Sequence, residues 1–157
     1  MILRVVFDTM VFYQWVVLPE GRLHGTARAV LDGRVRLCLS TALVEEVKDL
    51  LARPAIRAKS NRLTPDRVQA FLDRLMHASD FIAAVPDRFT FSRHPDDDHL
   101  FNLAIEAKAQ RLVTWETRIL QLADATIPEA QTLCRLAPDL RIVTPKMLAD
   151  ELGRVQS

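Results

Sequence analysis

Five short apolar segments recur along the chain, separated by sequence with helical spacing, and this alternation limits the fold more than any other feature. The first, ILRVVF at residues 2–7, is apolar except for Arg4, as a central strand buried on both faces would be. The others read RVRLCLS, FIAAV, RLVT and RIVT. Strands that alternate with helices form parallel sheets covered by helices. We therefore predict an α/β fold with a central parallel sheet of about five strands and helices on both faces.

The intervening segments carry helix start and stop signals. Helical sequence follows the first strand over about residues 10–17. After the loop LPEG, a helix is predicted over TARAVLDG, with Gly33 at its C-terminal cap. Further helices are predicted over ALVEEVKDLLAR, which Pro54 ends, and from Pro65 onward. PEAQTLCRL is a candidate short helix, and KMLADEL is the last. With neither repeats nor a linker, the sequence predicts one domain over residues 1–157.

The composition excludes some classes of protein. Lys and Arg number 21 against 20 Asp and Glu, so the net charge of +1 gives no information about partners, and any RNA surface has to be local. No apolar run approaches the roughly 18 residues of a membrane span, and no secretory leader is recognised, so we expect a cytoplasmic protein. Cys38 and Cys134 lack metal or redox spacing, and both are predicted to be small buried hydrophobes.

Acidic residues follow two of the predicted strands and begin a predicted helix. Asp8 comes directly after the first strand and Glu116 follows RLVT, at the edge where open α/β sheets bind ligands. In ALVEEVKDLLAR, helical spacing places Glu46 at the border of the apolar stripe, whereas Glu45 points to water. The run HPDDDH adds three aspartates at 96–98. Periodicity does not choose among them, because a helix start inferred from sequence shifts by a residue or two.

Carboxylates gathered in one pocket point to a bound cation. They repel one another and raise one another's pKa unless a cation joins them. Mg²⁺ and Mn²⁺ prefer oxygen ligands and can activate water at a phosphodiester. Neither zinc-type His/Cys spacing nor a Gly-rich phosphate loop competes with this interpretation. Each acid alone also fits an ordinary turn, helix cap or solvated flank, so the shared sheet edge is what favours a metal site.

The motifs, in their order and spacing, resemble the PIN domain family over nearly the whole chain, and especially the PIN-type toxins of bacterial toxin–antitoxin pairs. VVFDTM resembles the family's opening strand, which ends in Asp-Thr-Asn, and STALVEE resembles its Ser-led helix, which selects Glu46. SRHPDDDHLFNLA is similar to an acidic run before the third helix, and counting back from Thr114 places the family's third acid at Asp98. VTWE places Glu116 in the fourth acidic position, and RIVTPKMLADEL resembles one branch's closing strand and Pro-led helix.

The resemblance implies an endoribonuclease that depends on Mg²⁺ or Mn²⁺ and acts as the toxin of such a pair. A homodimer and a small, separately encoded antitoxin are the partners that it implies, with RNA as substrate. The implied catalytic acids are Asp8, Glu46, Asp98 and Glu116. These four are also the implied metal ligands, together with Asp97. The flanking His94 and His99 are expected to be surface or capping residues, with contact to the site as the less favoured alternative.

Three positions depart from the family pattern. Met10 replaces the usual Asn, Glu116 is one methylene longer than the usual Asp, and Arg118 lies where another Asp is common. These departures favour an alternative in which a catalytically weakened PIN-like domain serves as an RNA- or protein-binding module. A phosphatase-type hydrolase with Asp8 as nucleophile is disfavoured, because Met10 stands where a second Asp would be expected.

A local RNA surface is predicted from a basic run and one aromatic residue. The run follows the Glu46 helix without an intervening acid and consists of Arg53, Arg57, Lys59 and Arg62. An RNA backbone would favour such a patch, although a solvated connector has the same composition. Trp115, next to Glu116, is a candidate for stacking on a base, with core or dimer surface as the alternative.

Overall fold

A five-stranded parallel sheet organises the protein. The computed structural model describes residues 2–18 and 25–156. The strands are β1 (Leu3–Phe7), β2 (Val35–Leu39), β3 (Asp80–Phe81), β4 (Arg111–Val113) and β5 (Arg141–Val143). They lie in the order β3-β2-β1-β4-β5, and every neighbouring pair is parallel. The predicted α/β fold is confirmed, and the strand with the most continuous apolar run, β1, lies at its centre.

Helices connect and flank the strands. They are α1 (Thr9–Val17), α2 (Thr26–Leu31), α3 (Thr41–Ala52), α4 (Pro54–Arg57), α5 (Pro65–His77), α6 (Asp98–Glu106), α7 (Thr117–Leu120), α8 (Pro128–Leu136) and α9 (Pro145–Gln156). Short 3₁₀ turns at Pro95–Asp97 and Gln121–Ala123 precede α6 and follow α7. In the described part of the chain, no helix is both long and apolar enough to cross a membrane.

The core fixes the carboxyl ends of the central strands. Phe7 in β1 and Val113 in β4 are register partners, and both are fully buried. Leu43 of α3 and Phe101 of α6 are also fully buried and belong to the same core cluster. Burying one such side chain stabilises the fold by about 1.5–3 kcal/mol. Asp8 and Thr114, which directly follow β1 and β4, are therefore attached to a well-packed core.

Local signals set several of the helix ends. Ser40 accepts a hydrogen bond from the Leu43 N–H and caps α3, as its position before the apolar stripe predicts. Beyond α2, Gly33 has a φ of +74° and donates its N–H to the Val30 carbonyl. The following Arg34 N–H reaches back to Ala29, so that the helix ends in the left-handed turn that favours glycine.

The third strand is shorter than its sequence predicts. The apolar run FIAAV predicts a strand over 81–85, whereas β3 pairs with β2 only through Asp80 and Phe81. One further hydrogen bond runs from the Ile82 N–H to the Leu39 carbonyl. The pairing stops there because β2 itself ends at Leu39, and Ser40 turns the chain into α3.

Three other sequence expectations meet the structure differently. Cys38 is buried in β2 as predicted, but Cys134 is exposed on α8, so that its predicted burial is wrong. The spacing of α8 turns Cys134 outward, whereas Ala130 and Leu133 of the same helix are buried. The basic connector after α3 contains the short helix α4. The predicted loop LPEG lies mostly outside the described residues, which resume at residue 25.

One acid ties three strands together on one face of the sheet. Arg4 and Arg36 are register partners in β1 and β2, so their side chains lie on the same face. Arg4 Nη1 lies 2.7 Å from Asp80 Oδ2, and Arg36 Nε lies 2.8 Å from Asp80 Oδ1. Hydrogen bonds from Arg36 and then Arg4 hold the pKa of Asp80 below its usual range. Asp80 thus fastens the short edge strand β3 to the centre of the sheet.

Candidate active site

A buried aspartate follows the central strand. Asp8 caps α1 by accepting the Met10 N–H at 3.3 Å, and its own N–H donates to the Val113 carbonyl. Thr114, which directly follows β4, donates its hydroxyl to Asp8 Oδ2 at 2.7 Å. Burial raises the pKa of Asp8, because the charged carboxylate loses water, while the Thr114 and Met10 hydrogen bonds act in the opposite direction. Asp8 is therefore a shielded acid held in one orientation.

Thr114 also connects Asp8 to the second strand-end acid. The Glu116 N–H donates to Thr114 Oγ1 at 2.9 Å, so one hydroxyl links the segments that follow β1 and β4. The negative charge of Glu116 contributes to the raised pKa of Asp8. The two acids that the sequence places after separate strands are therefore electrostatic neighbours, as expected where parallel strands end together.

An arginine lies among the acids. Arg118 of α7 binds Asp97 through two hydrogen bonds, at 2.7 Å from Nε and 3.2 Å from Nη2. Its Nη1 lies 2.8 Å from Glu116 Oε2. The Asp97 side chain is 9% exposed, whereas that of Arg118 is 39% exposed, so the pair is buried on the aspartate side and open to solvent on the arginine side. Asp97, Glu116 and Asp8 all raise the pKa of Arg118 above its already high value.

A fourth acid approaches from α3. Glu46 Oε1 accepts the Thr9 hydroxyl at 2.9 Å, and Thr9 is the residue after Asp8. The other carboxylate oxygen of Glu46 contacts Nε2 of His99 in α6. This contact is an ion pair only when the His99 ring is protonated. The His99 hydrogen bond is the main cause that holds the pKa of Glu46 below its usual range, and the charge of Arg118 adds to it. Glu46 is 45% exposed, so it can turn toward solvent or toward the other acids.

The consecutive aspartates have different surroundings. Asp97 is buried and faces Arg118, whereas the carboxylate of Asp98 accepts the Phe91 N–H at 2.7 Å and so faces the preceding loop. Asp96 is exposed. The 3₁₀ turn at Pro95–Asp97 produces this difference, because it ends where α6 begins and rotates successive side chains apart. A metal-binding role for Asp98 stays a prediction.

The predicted RNA-binding residues lie on the surface. The four cations of the basic run are all exposed: Arg53, Arg57, Lys59 and Arg62. They begin seven residues after Glu46, which is roughly 10 Å along an α-helix. Trp115 is 38% exposed and lies between Thr114 and Glu116. The structure therefore leaves these side chains accessible to a strand of RNA.

Two contacts at this site differ from the interpretation that the sequence favoured. His99 was expected to be a surface or capping residue, yet it is half-buried and contacts Glu46. The sequence suggested that the Arg118 cation could compete for the acids, but it did not show that Asp97, 21 residues away, is the partner.

The acids suit a divalent cation in chemistry and charge but not in their present spacing. Their donors are carboxylate oxygens, the ligands that Mg²⁺ and Mn²⁺ prefer. Positive charge is already stabilised among them, as the raised pKa of Arg118 shows. Within residues 2–18 and 25–156, however, no three His, Cys, Asp or Glu side chains are grouped closely enough to hold a metal ion. The guanidinium of Arg118 holds two of the carboxylates instead.

Comparison with known proteins agrees with this geometry. The model of the PIN domain family matches residues 4–118, which include Asp8, Glu46, Asp97 and Glu116. The chain belongs to the PIN domain family. PIN domains are typically metal-dependent nucleases. No curated protein and no solved structure gives a significant match. The family match ends at Arg118, so β5, α8 and α9 of this PIN domain lie beyond it.

Proposed function

We propose that this PIN domain is a metal-dependent endoribonuclease that uses Mg²⁺ or Mn²⁺. The observation that carries the proposal is the electrostatic convergence of four acids on Arg118 at the carboxyl edge of the sheet. Asp97 and Glu116 bind the guanidinium directly, and Asp8 and Glu46 interact with its charge. The four acids stabilise the monovalent guanidinium of Arg118, so together they provide the negative charge that a divalent ion needs.

The candidate ligands are Asp8, Asp97 and Glu116, with Glu46 at the rim and Asp98 as the further acid that the family resemblance implies. A bound Mg²⁺ or Mn²⁺ would supply Lewis-acid activation of water and neutralise charge on the phosphodiester. The chain's own residues hold the acids in place. The Thr114 hydroxyl orients Asp8, and the Thr9 hydroxyl orients Glu46. Such hydroxyls limit the rotation of the carboxylates and prepare them for a ligand.

Arg118 has to release these acids before a metal can use them. Because it occupies both Asp97 and Glu116, metal binding and the arginine pairs compete for the same oxygens. Once displaced, the guanidinium lies beside a site for phosphate, which it can bind through two parallel hydrogen bonds. We propose that the RNA path continues over Trp115 toward the basic run at Arg53 and Arg57.

The family resemblance supports three further proposals about biological context. The protein would be the toxin of a toxin–antitoxin pair, form a homodimer and act in the cytoplasm on cellular RNA. Co-expression with the product of a neighbouring small gene would test the first, and sedimentation of the purified chain would test the second. A chain that is monomeric at all concentrations would contradict the homodimer.

A second candidate function is a PIN domain without catalysis that binds RNA or protein. The specific observation in its favour is Arg118, because an internal cation can neutralise the acids permanently. Calorimetric titration with Mn²⁺ separates the two functions. Binding that depends on Asp8 and Asp97 supports the nuclease, whereas RNA binding without any metal binding supports the module.

The nuclease proposal is tested with the variant Asp8→Asn and a fluorogenic single-stranded RNA. We expect cleavage that requires Mg²⁺ or Mn²⁺, stops with a chelator and is lost in Asp8→Asn. The thermal midpoint of the metal-free variant should stay unchanged or rise, because Asn removes a buried charge while it can still bond Thr114. Asp96→Asn is the matched control, since Asp96 is exposed, and it should retain cleavage. Cleavage that survives both chelation and Asp8→Asn would refute the mechanism.

A further inference from the structure

A second concave site lies away from the acids. A groove of about 670 Å³ runs between α8, β5 and α9, and the turn Gln121–Ala123 closes one end. Its strand residues Arg111 and Arg141 stand at the starts of β4 and β5, whereas the acids follow the ends of β1 and β4. Most of the groove belongs to sequence beyond residue 118, where the family match ends. The nuclease proposal does not explain it.

The floor of the groove is apolar. Leu122, Leu133 and Ile142 line it, and each is at least nine-tenths buried. Met147 of α9 forms part of the wall and is 51% exposed, a large apolar side chain left partly in water. A volume of this size falls within the range of small-molecule sites, which are mostly apolar with a few polar groups that orient the ligand.

Three arginines and two acids are among the residues that line the groove: Arg111, Arg141 and Arg154, with Asp150 and Glu151. Arg111 binds Glu151 through Nε at 2.9 Å and through a second, shorter contact. The Arg111 hydrogen bond, followed by the charges of Arg141 and Arg154, holds the pKa of Glu151 below its usual range. The other lining acid, Asp150, is paired with Lys146 on the same helix. Arg141 is exposed and lines the groove beside Arg111 and Glu151, so its guanidinium adds positive charge there.

We propose that this groove binds a small amphipathic anion, an aromatic or acyl body with one carboxylate or sulfonate group. The apolar body would lie on Leu122, Leu133 and Ile142, and the head group would meet Arg141 at the mouth. An exposed cation beside an apolar cleft favours such a ligand over a neutral one of the same shape, because the anionic head group can pair with the exposed Arg141 side chain. An arginine can bind the head group through charge-assisted hydrogen bonds.

The probe for this proposal is anilinonaphthalene sulfonate, with phenylnaphthylamine as its uncharged counterpart. Titration of the full chain, followed by fluorescence, should give saturable binding of the sulfonate at one site and weaker binding of the amine. Arg141→Gln should weaken the sulfonate roughly fivefold or more and leave the amine unchanged, since only the charged hydrogen bond is lost. Arg135→Gln, on the same helix as Cys134 but outside the groove lining, should change neither.

A second measurement needs no variant. Cys134 lines the groove and is exposed, whereas Cys38 is buried, so alkylation followed by mass spectrometry reports on one thiol. The bound sulfonate should slow alkylation of Cys134 several-fold. Sulfonate binding that Arg141→Gln leaves unchanged, together with unprotected Cys134, would overturn the proposal, as would the absence of saturable binding. Equal affinity for the sulfonate and the amine would overturn the preference for an anion.

Discussion

Replacing Arg118 by Gln tests whether its guanidinium competes with a metal. The side chain makes three hydrogen bonds to two carboxylates, and Asp97 is 9% exposed. Buried charged hydrogen bonds contribute about 1.5–3 kcal/mol each, but Arg118 is 39% exposed and solvent screens it. We therefore assign about 2 kcal/mol to the whole arrangement.

This value predicts two linked results for Arg118→Gln. In the absence of metal, the free energy of unfolding should fall by about 2 kcal/mol, which lowers the thermal midpoint by roughly 4–8 °C in a chain of this length. The affinity for Mn²⁺ should rise roughly thirtyfold, because the ion no longer has to displace the guanidinium. The loss in the free energy of unfolding and the gain in the free energy of Mn²⁺ binding report on the same interaction. The two free energies should therefore agree within the error of the two methods.

The assays are thermal unfolding without metal and calorimetric titration with Mn²⁺. Arg28→Gln is the matched control, since it removes a cation from an exposed pair with Asp32 on α2, and it should leave Mn²⁺ affinity unchanged. If Arg118→Gln is destabilised but binds Mn²⁺ no better than the parent chain, the two cations do not compete. If its affinity falls, Arg118 supports the metal site instead of closing it.

Two further predictions concern Asp80 and the departures from the family pattern. Asp80→Asn should lower the free energy of unfolding by about 1 kcal/mol at neutral pH. The lowered pKa of Asp80 means that this contribution is present above its unfolded value and is lost as pH falls through the folded value, so the difference between the two proteins in urea unfolding should vanish in acid. Met10→Asn combined with Glu116→Asp should raise Mn²⁺ affinity, because Asn adds a polar group beside Asp8 and Asp shortens the reach to Arg118. Calorimetry of the double and both single variants measures this, and no gain in a folded double variant means that these residues do not limit the site.

The sheet could be predicted from the sequence because each strand contains its own apolar run. Apolar runs bounded by polar residues predicted five parallel strands, and β1 proved central because its run is the most continuous. The extent of β3 was predicted incorrectly, since apolar composition at Ala83 and Ala84 cannot show that the partner strand ends at Leu39. Strand length at a sheet edge depends on the neighbour, and the local sequence does not contain that information.

Prediction of the site was limited by side-chain direction. The strand ends brought Asp8 and Glu116 together because parallel strands finish at one edge. The choice between Asp97 and Asp98 depends on a 3₁₀ turn, in which one residue of shift rotates a carboxylate from the pocket to the preceding loop. Folding brings Arg118 to the carboxylates of Asp97 and Glu116. The sequence could therefore show a cation at position 118 but not which acids it binds.

The separation of Asp8 from Thr114 has a consequence for how the protein is made. The two residues are 106 positions apart, and their hydrogen bond needs β4 to join β1. Synthesis begins at the N-terminus, so Asp8 emerges long before Thr114 and Glu116. A chain cut short before β4 would carry Asp8, Glu46 and Asp97 but would lack Thr114, Glu116 and Arg118, so the site could not assemble. Arg118 follows Glu116 by only two residues, so during synthesis Glu116 acquires its positive partner almost as soon as it is made.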